Sequence, residues 1–341
     1  MSSLIEKMLK SGSVKESAVL SESKFFKNRS NVTTELPILN IAFSGELDGG
    51  LTSGLTIFAG QSKVFKTMLG LYCLKAYLDH DPEAIALLYD SEFGSTEEYF
   101  KGFDIDTSRI IHTPVENVEE LKFDITQRLA SVERGDKIFI LIDSIGNLAS
   151  KKEIDDAIDG KSVADMSRAK AIKSLFRITT PSFTKKDIPC VAIAHTYSEM
   201  SMYPKDIISG GTGLIYSSNQ AFIITKAQEK EVTDLSGFKF TINIEKSRFV
   251  KEKSKLPFRV LYEGGIQKWS SIFDIAMEAG YITKANQGWY NTVDLETGEI
   301  QKPNRRKADI ESDDAFFEAL IQNPEFKSFV EKRFKVVSKK G

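Results

Sequence analysis

Apolar and polar residues follow one another along this chain in two kinds of segment. Short apolar runs predict strands, and most of the early runs are followed by a longer stretch with helical periodicity. The predicted strands are Leu55–Ala59, Ala84–Tyr89, Arg109–His112, Ile138–Ile142 and Ile188–Ala194. The predicted helices run over Lys66–Leu78, from Ser95 through Phe103, from Asn117 to Arg134 and around Met166–Thr180. This alternation predicts βαβ units and an α/β fold around a central, mostly parallel, twisted sheet.

The pattern changes towards both ends of the chain. Beyond Asn219 the predicted strands follow one another without long helices, and the tail is helical. These strands are Ala221–Thr225, Phe238–Glu245 and Phe258–Tyr262, and the helices lie near Ile272–Ala279, Asp314–Ile321 and Pro324–Phe334. The start of the chain is rich in Ser and Lys, with Phe25 and Phe26 as apolar anchors. We predict an N-terminal arm over 1–35, a core over 36–265 and a small C-terminal α/β cap over 266–341.

Composition limits the classes of function. The chain has 341 residues, with 46 Lys and Arg against 48 Asp and Glu, so its formal net charge is −2. A wholly basic surface that binds nucleic acid indiscriminately is excluded, and any polyanion must meet a local patch. The apolar runs fall short of the roughly 18 residues that a membrane span needs. Glu6 and Lys7 place charges where a signal peptide would need its apolar stretch. Cys73 and Cys190 each lie in an apolar segment. We therefore expect a cytoplasmic protein without a disulfide framework.

One segment has the frame of a phosphate-binding loop. It follows a predicted strand, opens a predicted helix and fits G-x-x-x-x-G-K-[ST] at all positions except one. The candidate nucleotide-binding residues are Gly60, Gln61, Ser62, Lys63, Val64, Phe65, Lys66 and Thr67. Successive backbone N–H groups and a helix N-terminus favour phosphate, Lys66 would reach the β- and γ-phosphates, and the Thr67 hydroxyl would ligate Mg²⁺. Phe65 occupies the place of the second glycine, so the loop must turn with negative φ there or accept strain. An ordinary βα turn is the alternative.

Two acids follow apolar strands. Asp143 ends the run Ile138–Ile142, as the acid of a Walker-B element does, and would hold Mg²⁺, through water. Glu92 follows another short strand and is suitably placed to orient or deprotonate an attacking water. Taken singly, Asp143 is equally a polar strand end and Glu92 a carboxylate near a helix. With the phosphate-binding loop upstream, the set predicts ATP and Mg²⁺ as cofactors.

These motifs together resemble the RecA-type recombinases. The resemblance is carried by the phosphate-binding loop, Leu88-Tyr89-Asp90-Ser91-Glu92, Ile140-Leu141-Ile142-Asp143-Ser144 and Gly210-Gly211-Thr212-Gly213. It is closest to the phage UvsX-like branch, in which Phe also stands in the second-glycine position. The resemblance covers roughly residues 25–290. It implies a RecA-like P-loop NTPase core that hydrolyses ATP.

The resemblance also implies roles for single residues. Lys66 and Thr67 would bind triphosphate and Mg²⁺, Asp143 would be the Walker-B acid, and Glu92 would activate water. Tyr99 falls where the family stacks an aromatic ring on adenine. His195 matches the residue that senses the γ-phosphate, which is glutamine in RecA. Lys246 and Arg248 match the pair that reaches the neighbouring subunit's nucleotide. Without the family, His195 would be interpreted as a core histidine and the basic pair as an exposed strand edge.

Two segments would contact DNA. The first spans about 150–164 and the second about 196–213, and loops of such length inside a compact core are usually functional or disordered. The candidate DNA-binding residues are Lys151, Lys152, Lys161, Arg168, Tyr203, Lys205, Gly210, Gly211 and Gly213. Lysines near the backbone suit sequence-independent binding, and glycines allow close approach to phosphate. Considered alone, both segments are ordinary solvated surface.

The sequence thus predicts an ATP-dependent strand-exchange protein that forms helical filaments on single-stranded DNA. Its partners would be homologous duplex DNA, further copies of itself, a loader and a single-strand binding protein, in the host cytoplasm if a phage encodes it. Two alternatives remain open: a regulatory RecA-fold ATPase that binds a protein partner, and a ring helicase.

Overall fold

The computed structural model of the chain describes residues 3–23, 25, 31–161, 167–199, 206–227, 237–261 and 265–336. Five residues named above, Phe26, Met166, Tyr203, Lys205 and Tyr262, lie outside the described residues, as do 162–164 of the first predicted DNA segment and 200–205 of the second.

Strands and helices alternate through the first two thirds of the chain. The strands are β1 (Asn31–Val32), β2 (Leu51–Thr52), β3 (Gly54–Gly60), β4 (Ile85–Asp90), β5 (Ile110–Pro114), β6 (Ile138–Asp143), β7 (Pro189–Ser198), β8 (Asp206–Ile208), β9 (Gln220–Ala227), β10 (Gly237–Lys246), β11 (Lys255–Leu261), β12 (Gly265–Ile266), β13 (Ile282–Asn286), β14 (Trp289–Thr292) and β15 (Arg305–Arg306). The helices are α1 (Ser3–Ser11), α2 (Pro37–Ser44), α3 (Lys66–His80), α4 (Glu97–Lys101), α5 (Val118–Ser131), α6 (Lys151–Ile158), α7 (Ser167–Lys186), α8 (Thr212–Ser217), α9 (Ser270–Glu278), α10 (Lys307–Glu311), α11 (Asp314–Gln322) and α12 (Pro324–Phe334).

A large mixed sheet forms the centre of the molecule. Among the described residues, its strand order is β12-β11-β10-β9-β3-β7-β6-β4-β5, and β8 pairs with β7. The strands from β9 to β5 are parallel, whereas β10, β11 and β12 extend the sheet in antiparallel fashion. The prediction of an α/β fold around a mostly parallel sheet is confirmed. Strands β3 and β6 are buried along their whole length, which is why they consist almost wholly of apolar residues.

Successive side chains of the central strands belong to two separate hydrophobic clusters, one on each face of the sheet. Phe58 faces the cluster that contains α2 and α3, whereas Leu55 and Ile57 face the cluster that contains α5 and α7. This follows from the two-residue period of a strand, which sends neighbouring side chains to opposite faces of the sheet.

The two ends of the chain pack differently. The C-terminal segment adds the small sheet β13-β14-β15 and shares the first cluster with the core, with the ring of Trp269 stacked on Phe317 at 5.2 Å between ring centroids. Helix α1 contributes no buried residue, and Glu16 pairs with Lys185 at 2.9 Å. The predicted boundaries at 35 and 265 remain predictions.

Several element bounds differ from the prediction. Thr96, rather than Ser95, caps α4, because its side chain accepts a hydrogen bond from the Tyr99 N–H, and the helix ends at Lys101. The prediction that 150–164 forms a loop is wrong over 151–158, because Ser150 and Glu153 form a capping box that begins α6 there. None of the helices in the described part of the chain is long and apolar enough to cross a membrane.

Candidate nucleotide-binding site

The carboxyl ends of four neighbouring parallel strands bring the predicted residues together. On β3 and β7, Gly60 lies opposite His195. On β4 and β6, Asp90 lies opposite Asp143. Because the carboxyl ends of parallel strands share one edge of a sheet, residues more than a hundred positions apart converge there.

The phosphate-binding loop lies between β3 and α3. Lys66 is buried, with 6% of its surface exposed, and its Nζ donates a hydrogen bond to the Gln61 carbonyl at 2.7 Å. Burial lowers the pKa of Lys66 below its ordinary value, while Glu92 and Asp143 favour its charged form. Lys66 is therefore folded back onto its own loop, at the N-terminus of the fifteen-residue helix α3.

Phe65 adopts the left-handed conformation of the glycine that it replaces. Its φ is 61°, so of the two conformations predicted for this position the strained one is present. A left-handed residue with a side chain costs roughly 1–2 kcal/mol. The ring of Phe65 packs edge-on against Phe240, with 5.1 Å between the ring centroids. This contact with β10 offsets the strain, since edge-to-face aromatic pairs are favourable.

Asp143 and Thr67 form an oxygen-rich corner beside the loop. The Thr67 hydroxyl donates to Oδ2 of Asp143 at 2.9 Å. Oδ1 of Asp143 is buried and has no hydrogen-bond partner among the described residues. Burial raises the pKa of Asp143 to about 6. A buried carboxylate oxygen without a partner fits a hard cation such as Mg²⁺, which takes a few protein oxygens and completes its shell with water and phosphate.

Glu92 is held by three neighbouring elements. Its Oε1 accepts hydrogen bonds from the Ser144 hydroxyl at 2.5 Å and lies 3.1 Å from Nε2 of His195. The hydrogen bond with His195 is the main cause that lowers the pKa of Glu92. Oδ1 of Asp90 accepts the backbone N–H groups of Glu92 and Phe93, which fixes the turn. This positioning contact of Asp90 was not predicted from the sequence.

The imidazole of His195 lies directly on Gly146. A Cβ atom placed on Gly146 would come within 2.0 Å of His195 Cδ2. Sequence reasoning missed Gly146, although its place shortly after the Walker-B strand was a usable signal. Arg168 secures this segment, because its guanidinium donates to the carbonyls of Ile145, Gly146 and Leu148 at 2.6–2.9 Å. These inward bonds support a structural role for Arg168, and its contact with DNA remains a prediction.

Tyr99 stands at the rim of one cavity that these groups share. The cavity measures about 590 Å³, a size suited to a nucleotide. It is lined by Ser62, Lys63, Val64, Phe65, Lys66, Thr67, Met68, Glu92, Tyr99, Ile193, His195, Lys226 and Phe238. Tyr99 is 38% exposed, and its ring packs edge-to-face with that of Phe103, with 5.3 Å between the ring centroids.

Lys246 and Arg248 lie outside that lining. Nζ of Lys246 donates to the carbonyls of Ile215, Tyr216 and Ser218 at 2.7–3.1 Å, at the end of α8. Arg248 is exposed just beyond β10. Neither residue therefore contacts the cavity of its own chain, and their action on a neighbouring subunit remains a prediction.

The described candidate DNA-binding residues occupy two surfaces. Lys152 pairs with Asp156 and Lys161 with Asp159, and the Lys151 N–H donates to Glu119 at 2.9 Å. Gly210 and Gly211 have φ of 102° and 81°, and a Cβ atom at Gly213 would meet Lys173 at 2.8 Å. Their contact with DNA stays a prediction.

The fold and the phosphate-binding loop define a RecA-like P-loop core, and comparisons with known proteins agree. The family model described as the C-terminal domain of the bacteriophage T4 recombination and repair protein matches residues 269–330. The recombination and repair protein of Enterobacteria phage T4 is 44% identical over 339 residues, which is 98% of this chain and 87% of that protein. This chain belongs to the UvsX-like family of RecA-type recombination and repair proteins.

More distant relatives carry the same core. The RecA protein of Cytophaga hutchinsonii is 24% identical over 310 residues, 88% of this chain and 81% of the relative. That of Chlorobaculum tepidum is 26% identical over 247 residues, 71% of this chain and 69% of the relative. Most of the family match at 269–330 lies beyond residue 290, which is where the resemblance predicted from the sequence ends.

Proposed function

We propose that this protein is an ATP-dependent recombinase that forms helical filaments on single-stranded DNA and exchanges strands with homologous duplex DNA. The observation that carries the proposal is the arrangement around one cavity of a phosphate-binding loop, a Thr67–Asp143 corner and a Glu92 carboxylate held by His195. Family membership supplies the context of recombination and repair.

Each residue of the site has a separate role in ATP hydrolysis. The backbone of 60–67 cradles the phosphates, and Lys66 leaves the Gln61 carbonyl to bind the β- and γ-phosphates. Thr67 and Asp143, the latter through water, would hold Mg²⁺, which would neutralise the charge that develops on the phosphates. Glu92 orients a water molecule for attack and accepts its proton, and the contact with His195 keeps its carboxylate ionised. Tyr99 stacks on the base.

The neighbouring subunit completes the site. Lys246 and Arg248 reach the nucleotide of the adjacent copy, where their charge stabilises the transferring phosphoryl group. Assembly and ATP binding are then linked, because a nucleotide lies between protomers. The N-terminal arm of 1–35 docks on the adjacent subunit, and a heterologous contact of this kind generates an open helix.

His195 links the nucleotide to DNA. It belongs to β7, which continues to Ser198, inside the second predicted DNA segment. Contact between His195 and the γ-phosphate orders that segment, and hydrolysis releases it. DNA contacts come from Lys151, Lys152, Lys161, Arg168, Tyr203, Lys205, Gly210, Gly211 and Gly213. A loader, a single-strand binding protein and a cytoplasmic setting, the host's for a phage protein, complete the proposal.

The test is the ATPase rate with and without single-stranded DNA, followed by electron microscopy of the same samples. We expect DNA-stimulated turnover, helical filaments with ATP, and loss of both in Lys66→Ala. Rings would indicate a helicase, and hydrolysis without assembly a regulatory ATPase. Near-normal turnover in Lys66→Ala would contradict the assignment of the phosphate-binding loop.

A further inference from the structure

Lys226 and Phe238 form a part of the cavity wall, and this part belongs to none of the recognised motifs. Nζ of Lys226 lies 3.5 Å from the ring centroid of Phe238. Both residues line the same cavity as Lys66, Glu92 and Tyr99. Neither belongs to the phosphate-binding loop or to the acid-bearing strands, so the catalytic scheme above leaves them without a role.

The sheet register places Lys226 beside the phosphate-binding loop. Parallel strands β3 and β9 pair Gly60 with Ile224, so Lys226 extends two residues beyond the point where β3 becomes the loop. Lys226 lies on the same face of β9 as Ile224, whose side chain packs in the cluster that contains α3. The lysine is therefore on the face of the sheet on which the loop and its helix lie.

A row of aromatic rings connects the loop to this lysine. The ring of Phe65 contacts Phe240 at 5.1 Å, and Phe240 contacts Phe238 at 6.2 Å, both measured between ring centroids. Phe240 is also the register partner of Lys226 on the neighbouring strand. The residue that departs from the usual loop sequence is thus linked through packed rings to Lys226.

The position of Lys226 relative to the acids tells which part of the nucleotide it meets. Glu92 follows β4, Asp143 ends β6 and His195 lies within β7, and all three strands are on one side of β3 in the sheet. Lys226 is on β9, on the other side of β3. The γ-phosphate belongs among the acids and the sensor, and the base belongs on Tyr99, so the α- and β-phosphates that follow the loop are the part of the nucleotide left for Lys226.

We propose that Lys226, seated on the ring of Phe238, is a nucleotide-binding residue that contacts the ADP portion common to substrate and product. The inference rests on the nucleotide binding proposed above. A lysine ammonium has three donors, and its contact with an aromatic face holds it in place while leaving donors for a phosphate or ribose oxygen. Lys226 then sets the affinity for ATP and ADP alike, and Phe238 positions it.

The test compares nucleotide affinity with turnover in Lys226→Met. Titration with fluorescent ADP and with ATPγS in Mg²⁺ should show both dissociation constants raised about tenfold, the loss expected for one charge-assisted hydrogen bond. The KM for ATP should rise similarly, with kcat at saturating ATP within twofold of wild type. Lys239→Met is the matched control, because Lys239 lies on the neighbouring strand and lines a different cavity. It should bind nucleotide as wild type does.

Two further variants distinguish the direct contact of Lys226 with the nucleotide from the supporting role of Phe238. Lys226→Arg should retain most of the affinity, because a guanidinium also stacks on an aromatic ring and donates to phosphate. Phe238→Leu should weaken binding about threefold in the wild type and have no effect in the Lys226→Met background.

The outcomes distinguish the two proposals. Unchanged dissociation constants in Lys226→Met, together with lost binding in Lys66→Ala, would overturn the role of Lys226 alone. A Lys226→Met variant that loses affinity for single-stranded DNA and keeps its affinity for nucleotide would also overturn it. Nucleotide binding that is unaffected in Lys66→Ala would instead overturn the proposed function.

Discussion

Nε2 of His195 lies 3.1 Å from Oε1 of Glu92, so the residue assigned to detect the γ-phosphate also holds the carboxylate assigned to activate water. Both side chains are partly exposed to the cavity, 29% for His195 and 31% for Glu92. A γ-phosphate that engages His195 therefore competes with, or reorients, its contact with Glu92. In the proposed mechanism, sensing of the γ-phosphate and activation of water therefore depend on one hydrogen bond.

Removal of that hydrogen bond should shift the pH dependence of hydrolysis. In His195→Phe the pKa of Glu92 rises, because the main cause of its lowering is gone. Glu92 acts when ionised, so the acid limb of the kcat profile should move to higher pH. His195→Gln, which retains a donor, should keep the limb near that of wild type. Identical acid limbs in all three proteins would show that His195 does not tune Glu92.

Gly146→Ala should displace His195 without touching the phosphate-binding loop. The added methyl would lie 2.0 Å from His195 Cδ2, far inside van der Waals contact. We expect a fall in kcat of at least tenfold, with the dissociation constant for ADP within twofold of wild type. In Gly94→Ala the added methyl meets no atom within 4 Å, so that variant is the control. A normal kcat in Gly146→Ala would contradict the proposed contact.

Asp143→Asn should stabilise the nucleotide-free protein while it weakens binding of Mg²⁺–nucleotide. Burial raises the pKa of Asp143 in the folded state to about 6, above the ordinary 3.8. The stability that this group contributes is complete below pH 3.8 and is lost as the pH rises through about 6. The amide avoids that loss, so we expect a gain of roughly 3 kcal/mol in the free energy of unfolding at pH 7.5.

Urea unfolding of Asp143→Asn at pH 5 and pH 7.5 measures this effect. The gain over wild type should be larger at pH 7.5, because wild-type Asp143 is mostly protonated at pH 5. An equal gain at both values would show that ionisation of Asp143 is not its cause.

Phe65→Gly should reduce stability even though it restores the usual loop sequence. Glycine removes the strain of the left-handed conformation but also removes the ring that packs on Phe240. We expect a net loss of roughly 1–2 kcal/mol, since truncation of a packed aromatic ring outweighs relief of backbone strain. The loss should shrink in a Phe240→Leu background, measured by urea unfolding. A gain in stability from Phe65→Gly alone would refute this balance.

Mixing of inactive variants tests the action of Lys246 and Arg248 across a subunit interface. Lys246→Ala and Arg248→Ala should each be poorly active alone. A mixture of either with Lys66→Ala should recover some DNA-stimulated ATPase activity, because an intact site forms wherever complementary subunits meet. Mixed subunits that co-assemble and stay inactive would count against action in trans.

The residues at the strand ends could be predicted from the sequence because one rule governs them. Asp143 and Glu92 follow buried apolar runs, and a parallel sheet brings such ends together whatever the intervening length. The phosphate-binding loop was recognisable for the same reason, since it must lie between a strand and a helix. These signals are local in sequence, and the sheet makes them neighbours in space.

Other contacts had only a weak local signal or none. The packing of His195 on Gly146 joins residues on different elements, and a glycine that accepts a ring looks like any other glycine. The conformation of Phe65 was undecided because it depends on Phe240, a residue 175 positions away. The capping box of Ser150 and Glu153 was readable but was outweighed by the expectation of a loop. Lys226 carries no motif, and only the register of β9 against β3 brings it to the cavity.

The pairing of Gly60 with His195 also bears on how ATP binding reaches the second predicted DNA segment. The phosphate cradle starts at one of these residues, and the other lies three residues before the end of β7 at Ser198. At about 3.3 Å per residue, β7 runs on the order of 10 Å from His195 to Ser198, inside that segment. His195 and Ser198 lie on the same strand, so a small movement along β7 is enough to carry the effect of ATP binding into the DNA segment.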